Sequence, residues 1–393
     1  MINNRLLLFS LNCIYRMVLR IIINEGVLTI TNTKSLFETV IIGNTTLDNR
    51  IGVAPMTRIS ATPEGLVTDE MVSYYTSFAR GGFGLIITEG TYIDDKYSQT
   101  YFDQPGIAYD EQAQAWKKVV DSVQQAGAKI FMQVQHTGSL SQGNRFAQET
   151  IAPSAIQPKG EQLTFYLGEG PFPTPREATK EEITEVITGF VNAAKRAKSV
   201  GFDGIEIHGA NGYLLDGFLT DYTNLRTDEY GGSTENRVRL LVEVSKAVRE
   251  AVGQDFTLGI RISQGKVNDH THKWAGKEQD AEIIFGQLGQ AGLDYIHVTE
   301  FEAWKPAFDT SETSLAALAK KYGKVAVLVN GQLEDPERAR NIIDKGEADV
   351  ITLGKGALAN HDWVNKVKKG ESLTEFKPEE VLRPNAKIKE FEV

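Results

Sequence analysis

The chain has 393 residues, of which 41% are hydrophobic and 24% charged, enough for one large globular core and unlike a disordered or collagen-like chain. Its formal net charge of -10 argues against a nucleic-acid-binding protein, because such a protein needs a basic face to neutralise phosphates. The single cysteine, Cys13, excludes an intrachain disulfide and a cysteine-ligated cluster, and it fits a reducing, cytoplasmic compartment.

Residues 1–33 are predicted to be a flexible N-terminal extension. Arg5 precedes an apolar run, but the run is short and Arg16 and Arg20 follow it, so it is a poor candidate for a membrane-spanning helix. It also lacks the small-residue cleavage site that ends a signal peptide. We therefore expect no stable membrane association, and a single folded domain from 34 to 393.

From about residue 51, short apolar runs alternate eight times with segments of helical period. The runs are rich in β-branched residues and almost continuously apolar, which is typical of parallel strands buried on both faces. Strands are predicted at 51–54, 85–88, 129–135, 204–208, 257–262, 295–299, 325–329 and 350–353.

The segments between these runs carry the start and stop signals of helices. Thr179 and Glu182 form a capping-box pattern before apolar positions at helical spacing, and Gly201 ends that pattern. Further helices are predicted at 110–127, at 235–251 and after Asp335-Pro336.

Eight strand–helix units allow either a doubly wound open sheet or a closed (β/α)8 TIM barrel. No G-x-G-x-x-G motif opens the first helix, so the open dinucleotide-binding sheet lacks its best marker. The sequence therefore favours the α/β barrel. The stretch 40–50, with Gly43-Asn44 between two apolar runs, predicts an N-terminal β-hairpin at the barrel bottom.

The residues that end each strand are the candidate site residues, because active sites of such barrels form at the carboxyl ends of the strands. They include no Ser-His-Asp arrangement and no cluster typical of metal ligands, so hydrolysis and metal chemistry have little support. The set offers hydrogen-bonding groups for a polar ring system and cations for a phosphate. It comprises Pro55, Thr57, Gly90, Gln133, His208, Asn211, Tyr213, Arg261, Asn330, Gly331, Gly354 and Lys355.

Two motifs at these positions are long and specific. They are HGANGYLLDGFL at 208–219, and NLRTDEYGGS at 224–233 followed by ENR at 235–237. With them, from about residue 34 to 370, the chain resembles the Old Yellow Enzyme family of FMN-dependent ene-reductases, in its compact single-domain branch. Shorter matches are APMT at 54–57, GLIITEG at 84–90 and QVQH at 133–136.

The resemblance implies FMN as the cofactor, and NADPH or NADH as the reductant. It implies that Thr57 lies near the flavin C4 carbonyl and N5, and that Gln133 binds the pyrimidine edge. Arg261 would lie near N1 and the C2 carbonyl, where a cation stabilises the reduced ring. Pro55 and Gly90 would let the backbone approach the ring closely.

The same resemblance places the FMN phosphate contact after the eighth strand. Gly354 and Lys355 stand where the family commonly has Gly-Arg, and a lysine keeps the charge but loses the bidentate fork of arginine. Asn330 and Gly331, which end the seventh strand, complete the predicted cofactor site.

For catalysis, the resemblance implies a ping-pong hydride transfer to the activated C=C bond of an α,β-unsaturated carbonyl or a related electrophile. His208 and Asn211 would bind the carbonyl oxygen of the substrate, and Tyr213 would give a proton to its α-carbon. Phe301 and Trp304 are candidates for aromatic residues on the substrate side.

Other interpretations stay open: an FMN-linked barrel dehydrogenase with a different substrate, a phosphate-binding barrel lyase, or a barrel that only binds flavin. A lyase needs a Schiff-base lysine on an inner strand, and the sequence offers no convincing one. We expect a small-molecule substrate, and the chain could form a homo-oligomer. Structural or surface roles are predicted for His136, His270, His272, His297, His361, Arg226, Asp228, Tyr230 and Arg237.

Overall fold

The computed structural model of the chain describes residues 21–24, 27–30 and 34–393. The predicted flexible extension, 1–33, lies mostly outside the described residues. Within it, Ile21–Asn24 and Val27–Ile30 pair as an antiparallel hairpin. Over the described ranges, no helix is both long enough and apolar enough to span a lipid bilayer.

Eight parallel strands close into a barrel, as the sequence predicts. Each strand pairs with its neighbours in sequence, and the ring closes where Ile351 of the last strand pairs with Ile51 of the first. The predicted strands are therefore confirmed, with small shifts of their ends. They are β1 Ile51–Val53, β2 Leu85–Ile87, β3 Lys129–Gln135, β4 Gly204–Asn211, β5 Thr257–Lys266, β6 Tyr295–Thr299, β7 Ala326–Asn330 and β8 Val350–Leu353.

Strands β4 and β5 extend further than predicted, to Asn211 and Lys266. The prediction ended them where the apolar runs end, but backbone pairing continues through the polar residues at the barrel mouth. The register shifts between Gly209 and Asn211, and Asn211 then pairs with Lys266. A bulge of this kind redirects a side chain, and here it does so beside the predicted site.

Helices follow the strands on the outside of the barrel. The capping box at Thr179 is confirmed, since its hydroxyl accepts the N–H of Glu182 at 3.2 Å and its own N–H donates to Glu182 Oε2 at 2.8 Å. The helix predicted at 235–251 is interrupted at Val238. The helices are α1 Asp69–Arg80, α2 Asp110–Gln125, α3 Lys180–Ser199, α4 Leu214–Leu219, α5 Thr234–Arg237, α6 Arg239–Val252, α7 Glu278–Gly289, α8 Leu315–Gly323, α9 Pro336–Asp344, α10 Lys355–Ala359, α11 Trp363–Lys369 and α12 Pro378–Val381.

The predicted hairpin closes the bottom of the barrel. Val40–Ile42 and Thr45–Leu47 pair antiparallel, and Gly43 takes a positive φ of 56° in the turn between them. Ile42 and Leu47 are fully buried against the inward-facing side chains of the barrel strands. The carboxyl-terminal mouth of the barrel is therefore the end that can receive a ligand.

Candidate active site

One cavity of about 490 Å³ opens at the carboxyl ends of the strands. Its volume lies within the range of ordinary ligand pockets. The structure brings all the predicted site residues into its wall except Asn330 and Gly331. Those in the wall are Pro55, Thr57, Gly90, Gln133, His208, Asn211, Tyr213, Arg261, Gly354 and Lys355.

Asn330 and Gly331 lie behind the wall rather than in it. Asn330 Oδ1 accepts hydrogen bonds from Arg261 Nη2 and from the hydroxyl of Thr299, both at 3.1 Å. Gly331 has φ 145°, and a Cβ there would overlap the carbonyl oxygen of Glu300. The geometry thus gives Asn330 a supporting role toward Arg261, and direct contact of either residue with a cofactor stays a prediction.

Arg261 is a buried cation with spare hydrogen-bonding capacity. The residue is 5% exposed, and burial lowers the pKa of its guanidinium to about 10. Nη2 is bonded to Asn330, whereas the buried Nε has no partner in the described part of the chain. A buried donor of this kind is costly unless a ligand satisfies it, so the residue suits an electronegative ring edge such as that of a flavin.

Glu206 does not pair with Arg261 but anchors Gln133. Gln133 Nε2 donates to Glu206 Oε1 at 2.8 Å, and Glu206 Oε2 contacts Nδ1 of His297 at 2.8 Å. Nε2 of His297 lies 2.8 Å from the hydroxyl of Thr352. The prediction that His297 is structural is therefore confirmed, and this network fixes the carboxamide of Gln133 at the cavity wall.

His208 is placed as a neutral hydrogen-bond donor. It is buried at the end of β4, where loss of solvation and the charge of Arg261 hold the pKa of its imidazole well below 6.5. Its Nδ1 lies 3.3 Å from the N–H of Ala210, which can only donate. The proton of the neutral ring consequently sits on Nε2.

Asn211 is held in the left-handed backbone region, with φ 64°. Its N–H donates to the hydroxyl of Ser263 at 2.8 Å, and its carbonyl accepts the N–H of Val267 at 3.1 Å. Asparagine tolerates this conformation better than most residues. The strained turn therefore fixes the backbone from which the carboxamide reaches the cavity.

Tyr213 presents a protonated phenol to the same cavity. Its hydroxyl lies 2.9 Å from the hydroxyl of Tyr101, and its ring meets His208 edge-on with centroids 4.9 Å apart. Burial raises its pKa above 10.0. A phenol that stays protonated through the physiological range can act as a general acid.

Gly354 and Lys355 stand at the start of the short helix α10, at one end of the cavity. The Lys355 side chain is exposed, so its charge is available to an anion there. Phosphate sites of (β/α)8 barrels are often built from the loops after the seventh and eighth strands and a short extra helix. The position thus fits the predicted phosphate contact.

The aromatic wall of the cavity comes from residues that the sequence did not single out. Tyr101 and Tyr166 pack with ring centroids 4.4 Å apart, and Phe165, Phe376 and Leu382 complete this side. They lie in irregular loops and in the segment after α11, where neither periodicity nor a motif marks them. His270, predicted to be a loop residue at the surface, is exposed and also borders the cavity.

The candidates Phe301 and Trp304 do not line this cavity. Phe301 is 69% exposed and borders a neighbouring pocket between the loops after β5 and β6, which shares Asn211, Val267 and His270 with the cavity. The ring of Trp304 is covered by the guanidinium of Arg338 at 3.7 Å. The loop after β6 therefore lies beside the cavity rather than in its wall, a placement that the order of residues alone does not reveal.

The polar loop after β4 forms the predicted structural network. Arg226 Nη2 pairs with Asp228 Oδ2 at 2.6 Å, and Arg226 Nη1 donates to the carbonyl of Ala178 at 2.7 Å. Arg237 donates to the carbonyl of Leu219 at 2.9 Å. These bonds fix the loop that follows Tyr213 and α4.

Replacing Gly90 by alanine is expected to weaken cofactor binding and to lower stability. A Cβ there would overlap Oε1 of Gln135, whose Nε2 is tied to the hydroxyl of Thr100 at 2.6 Å and cannot easily withdraw. Overpacking of this kind costs about 1–3 kcal/mol. The amount of FMN bound per protein and the thermal midpoint of unfolding measure the effect. Gly286→Ala is the control. Gly286 lies in α7 with open space around it, so that variant should keep FMN and gain roughly 0.5–1 kcal/mol.

The carboxylate beside Gly90 predicts a pH-dependent stability. Glu89 is fully buried and burial raises its pKa to about 7; Oε2 accepts the N–H of Arg58 at 2.9 Å, and Oε1 accepts the hydroxyl of Tyr75 at 3.2 Å. Because the folded pKa exceeds the unfolded one, the folded state binds the extra proton. Stability is therefore lost as the pH rises from about 4.5 to 7, by about 3 kcal/mol.

Glu89→Gln should remove that loss. Its free energy of unfolding, relative to the wild type in the same cofactor state, is expected to grow as the pH rises through this window. Denaturant unfolding at several pH values measures the difference. A constant difference from pH 4.5 to 7.5 would show that Glu89 titrates normally.

Comparison with known proteins gives a consistent result. The model of the NADH:flavin oxidoreductase / NADH oxidase family matches residues 35–374. An old yellow enzyme homologue from Zymomonas mobilis is similar in structure, with a TM-score of 0.79 and 33% identity over 87% of this chain and 94% of that one. Morphinone reductase in complex with tetrahydroNAD has a TM-score of 0.78 and 34% identity, over 88% and 93% of the two chains.

Two curated relatives are each 34% identical to the chain. One is a probable flavin mononucleotide-dependent alkene reductase of Leishmania infantum, matched over 87% of this chain and 93% of the relative. The other is an NADH oxidase of Thermoanaerobacter brockii, matched over 86% of this chain. The match spans only 52% of that NADH oxidase, so the relative has a further region of its own.

Proposed function

The chain belongs to the NADH:flavin oxidoreductase / NADH oxidase family, and from that membership we propose that it reduces the activated C=C bond of α,β-unsaturated carbonyl compounds. It is a flavin-dependent oxidoreductase on a (β/α)8 barrel, with NADPH or NADH as the reductant. The observation that carries the substrate class is the grouping of His208, Asn211 and Tyr213 in one cavity.

His208 and Asn211 are proposed to hold the carbonyl oxygen of the substrate. Negative charge develops on that oxygen when a hydride adds to the β-carbon of an enone, and fixed donors stabilise it as an oxyanion hole does. His208 is neutral with its proton on Nε2, and the left-handed turn fixes Asn211 beside it. Both donors are thus oriented before the substrate arrives.

Tyr213 is proposed to protonate the α-carbon. Its hydroxyl is buried beside that of Tyr101, and its raised pKa keeps the proton available at neutral pH. The product then carries the hydride on its β-carbon and the tyrosine proton on its α-carbon. Solvent protons must afterwards restore the phenol.

The residues of the cavity fit FMN. The unpartnered Nε of Arg261 suits an electronegative ring edge, Gly90 brings its backbone to the cavity wall, and Lys355 offers charge to a phosphate. We propose that Pro55, Thr57, Gln133 and Gly354 complete this contact. When bound, the flavin supplies hydride-transfer chemistry that no side chain can provide.

A lyase finds less support in the structure than a reductase. Its Schiff-base lysine would have to be free on an inner strand, but Lys266 of β5 is buried in an ion pair with Asp216 at 2.8 Å. Lys129 of β3 pairs with Asp203 at 3.2 Å.

We also expect a cytoplasmic location, on the basis of the single cysteine, and a homo-oligomer remains a prediction.

The purified protein is expected to be yellow, or to become so with added FMN, with flavin absorbance near roughly 370 and 450 nm. Anaerobic NADPH or NADH should bleach the long-wavelength band, and an enone should restore it. A protein that stays colourless after incubation with FMN would contradict the proposal.

A further inference from the structure

Residues 385–392, here called the tail strap, pack against loops at the carboxyl-terminal end of the barrel and lie beyond the 35–374 range of the family match. Their backbone and side chains contact three loops, those that follow β1, β2 and β3. The contacts are Ile388 N–H to Ser60 Oγ (2.9 Å), Lys387 Nζ to Asp103 Oδ2 (2.8 Å) and Ala386 N–H to the Phe165 carbonyl (2.8 Å).

These loops are the ones that bring Thr57, Tyr101 and Tyr166 to the cavity. A single segment therefore fixes part of both the predicted cofactor side and the aromatic side. Loops at a barrel mouth are otherwise the most mobile parts of such a fold, so contacts that hold them decide how well the site is formed in advance.

Arg58 and Glu392 form the centre of this arrangement. Arg58 is fully buried and Glu392 is 3% exposed. The guanidinium of Arg58 makes a bidentate pair with Glu392, with Nη1–Oε1 at 2.5 Å and Nη2–Oε2 at 2.6 Å. Its Nε donates to the carbonyl of Ala386 at 2.9 Å, and its Nη2 to that of Lys387 at 3.2 Å.

Every one of those acceptors belongs to the tail strap. A buried guanidinium is stable only where its charge and its donors are satisfied, so the strap, together with the Tyr74 ring 4.9 Å from the guanidinium, holds the Arg58 side chain in place. The backbone N–H of Arg58 is held from the other side by Glu89 Oε2 at 2.9 Å. The peptide that joins Thr57 to Arg58 is therefore clamped between the strap and the barrel.

We propose that Glu392 is a positioning residue of the flavin site: by pairing with Arg58 it fixes the backbone that carries Thr57. The inference rests on the proposed function, in which the Thr57 hydroxyl contacts the flavin. A hydroxyl near the flavin ring tunes its reduction potential through hydrogen bonding. Loss of Glu392 should therefore change the same property that loss of the Thr57 hydroxyl changes.

Glu392→Gln tests this, because it keeps the size of the side chain and removes its charge. We expect at least a tenfold rise in the Kd of FMN, measured by fluorescence titration of the apoprotein. The FMN reduction potential should shift in the same direction as in Thr57→Ala. In the Thr57→Ala background, Glu392→Gln should shift the potential no further, because it acts through Thr57.

Glu390→Gln is the matched control, since Glu390 lies in the same short turn and is exposed. It should leave the Kd and the potential unchanged. If Glu392→Gln behaves like this control in a wild type that binds FMN and reduces enones, the inference is overturned and the proposed function stands. If the wild type binds no FMN, it is the proposed function that fails.

A second variant separates positioning from folding. Replacing a buried ion pair by apolar residues of similar size often restores stability, so Arg58→Met with Glu392→Leu is made if Glu392→Gln does not fold. The double variant cannot bind the strap carbonyls of Ala386 and Lys387. A weakened Kd and a shifted potential in this folded protein support the proposal, whereas wild-type values for both would overturn it.

Discussion

Replacing His208 and Asn211 together by alanine is expected to slow reoxidation of the reduced protein by an enone about 10⁴-fold or more. Removing one preorganised donor of an oxyanion hole typically costs roughly 10²–10³ in rate. Both donors face the same cavity, and His208 is neutral and buried there. The protein should remain yellow and should still be reduced by NADPH or NADH.

Backbone strain at Asn211 has to be separated from loss of its carboxamide. Alanine at φ 64° costs roughly 1–2 kcal/mol, whereas glycine adopts this conformation freely. His208→Ala with Asn211→Gly should therefore lose as much enone rate as the double alanine variant but unfold at a higher thermal midpoint than that variant. Single-turnover kinetics under anaerobic conditions measure the rate. An enone rate within about threefold of the wild type would remove both residues from the mechanism.

Replacing Tyr213 by phenylalanine is expected to slow the same half-reaction by about 10²–10⁴, the usual contribution of a general acid. The ring that packs edge-on against His208 is kept, and only the hydroxyl bonded to Tyr101 is lost. Reduction of the protein by NADPH or NADH requires no proton from this residue and should be unaffected.

The pH dependence of the wild type gives an independent check of Tyr213. Burial raises its pKa above 10.0, so the enone half-reaction should stay constant from neutral pH to about pH 10 and fall beyond it. Tyr322→Phe is the control for Tyr213→Phe, since the Tyr322 phenol contacts Glu278 on the outside of the barrel. A Tyr213→Phe protein with wild-type enone kinetics would require another proton donor.

The sequence predicted the barrel well because a short local run of apolar residues marks each of its strands. Short β-branched runs at 129–135 and 295–299 become strands with those same bounds. Strand β4 was predicted to end at His208, since the apolar run stops there, but its backbone pairing continues to Asn211. Local composition reports burial, and it does not report where hydrogen bonding between strands ends.

The site was predictable where one strand end carries several functional residues in a motif, as at 208–213. The substrate-side wall was not predictable, because Tyr166 and Phe376 lie far apart in sequence and meet only in the folded chain. Glu392 gave no signal for the same reason, since its partner Arg58 is more than three hundred residues away. Phe301 borders the neighbouring pocket and not the cavity itself, because proximity to a strand end does not fix the direction of a loop.

The most direct test of the account is an anaerobic stopped-flow experiment that follows flavin absorbance near 450 nm in the protein loaded with FMN. NADPH or NADH is mixed first, and an enone such as cyclohex-2-enone is mixed second. We expect bleaching in the first step and full recovery in the second, with the second step alone slowed in Tyr213→Phe. Bleaching without recovery by any enone, nitroalkene or quinone would contradict it.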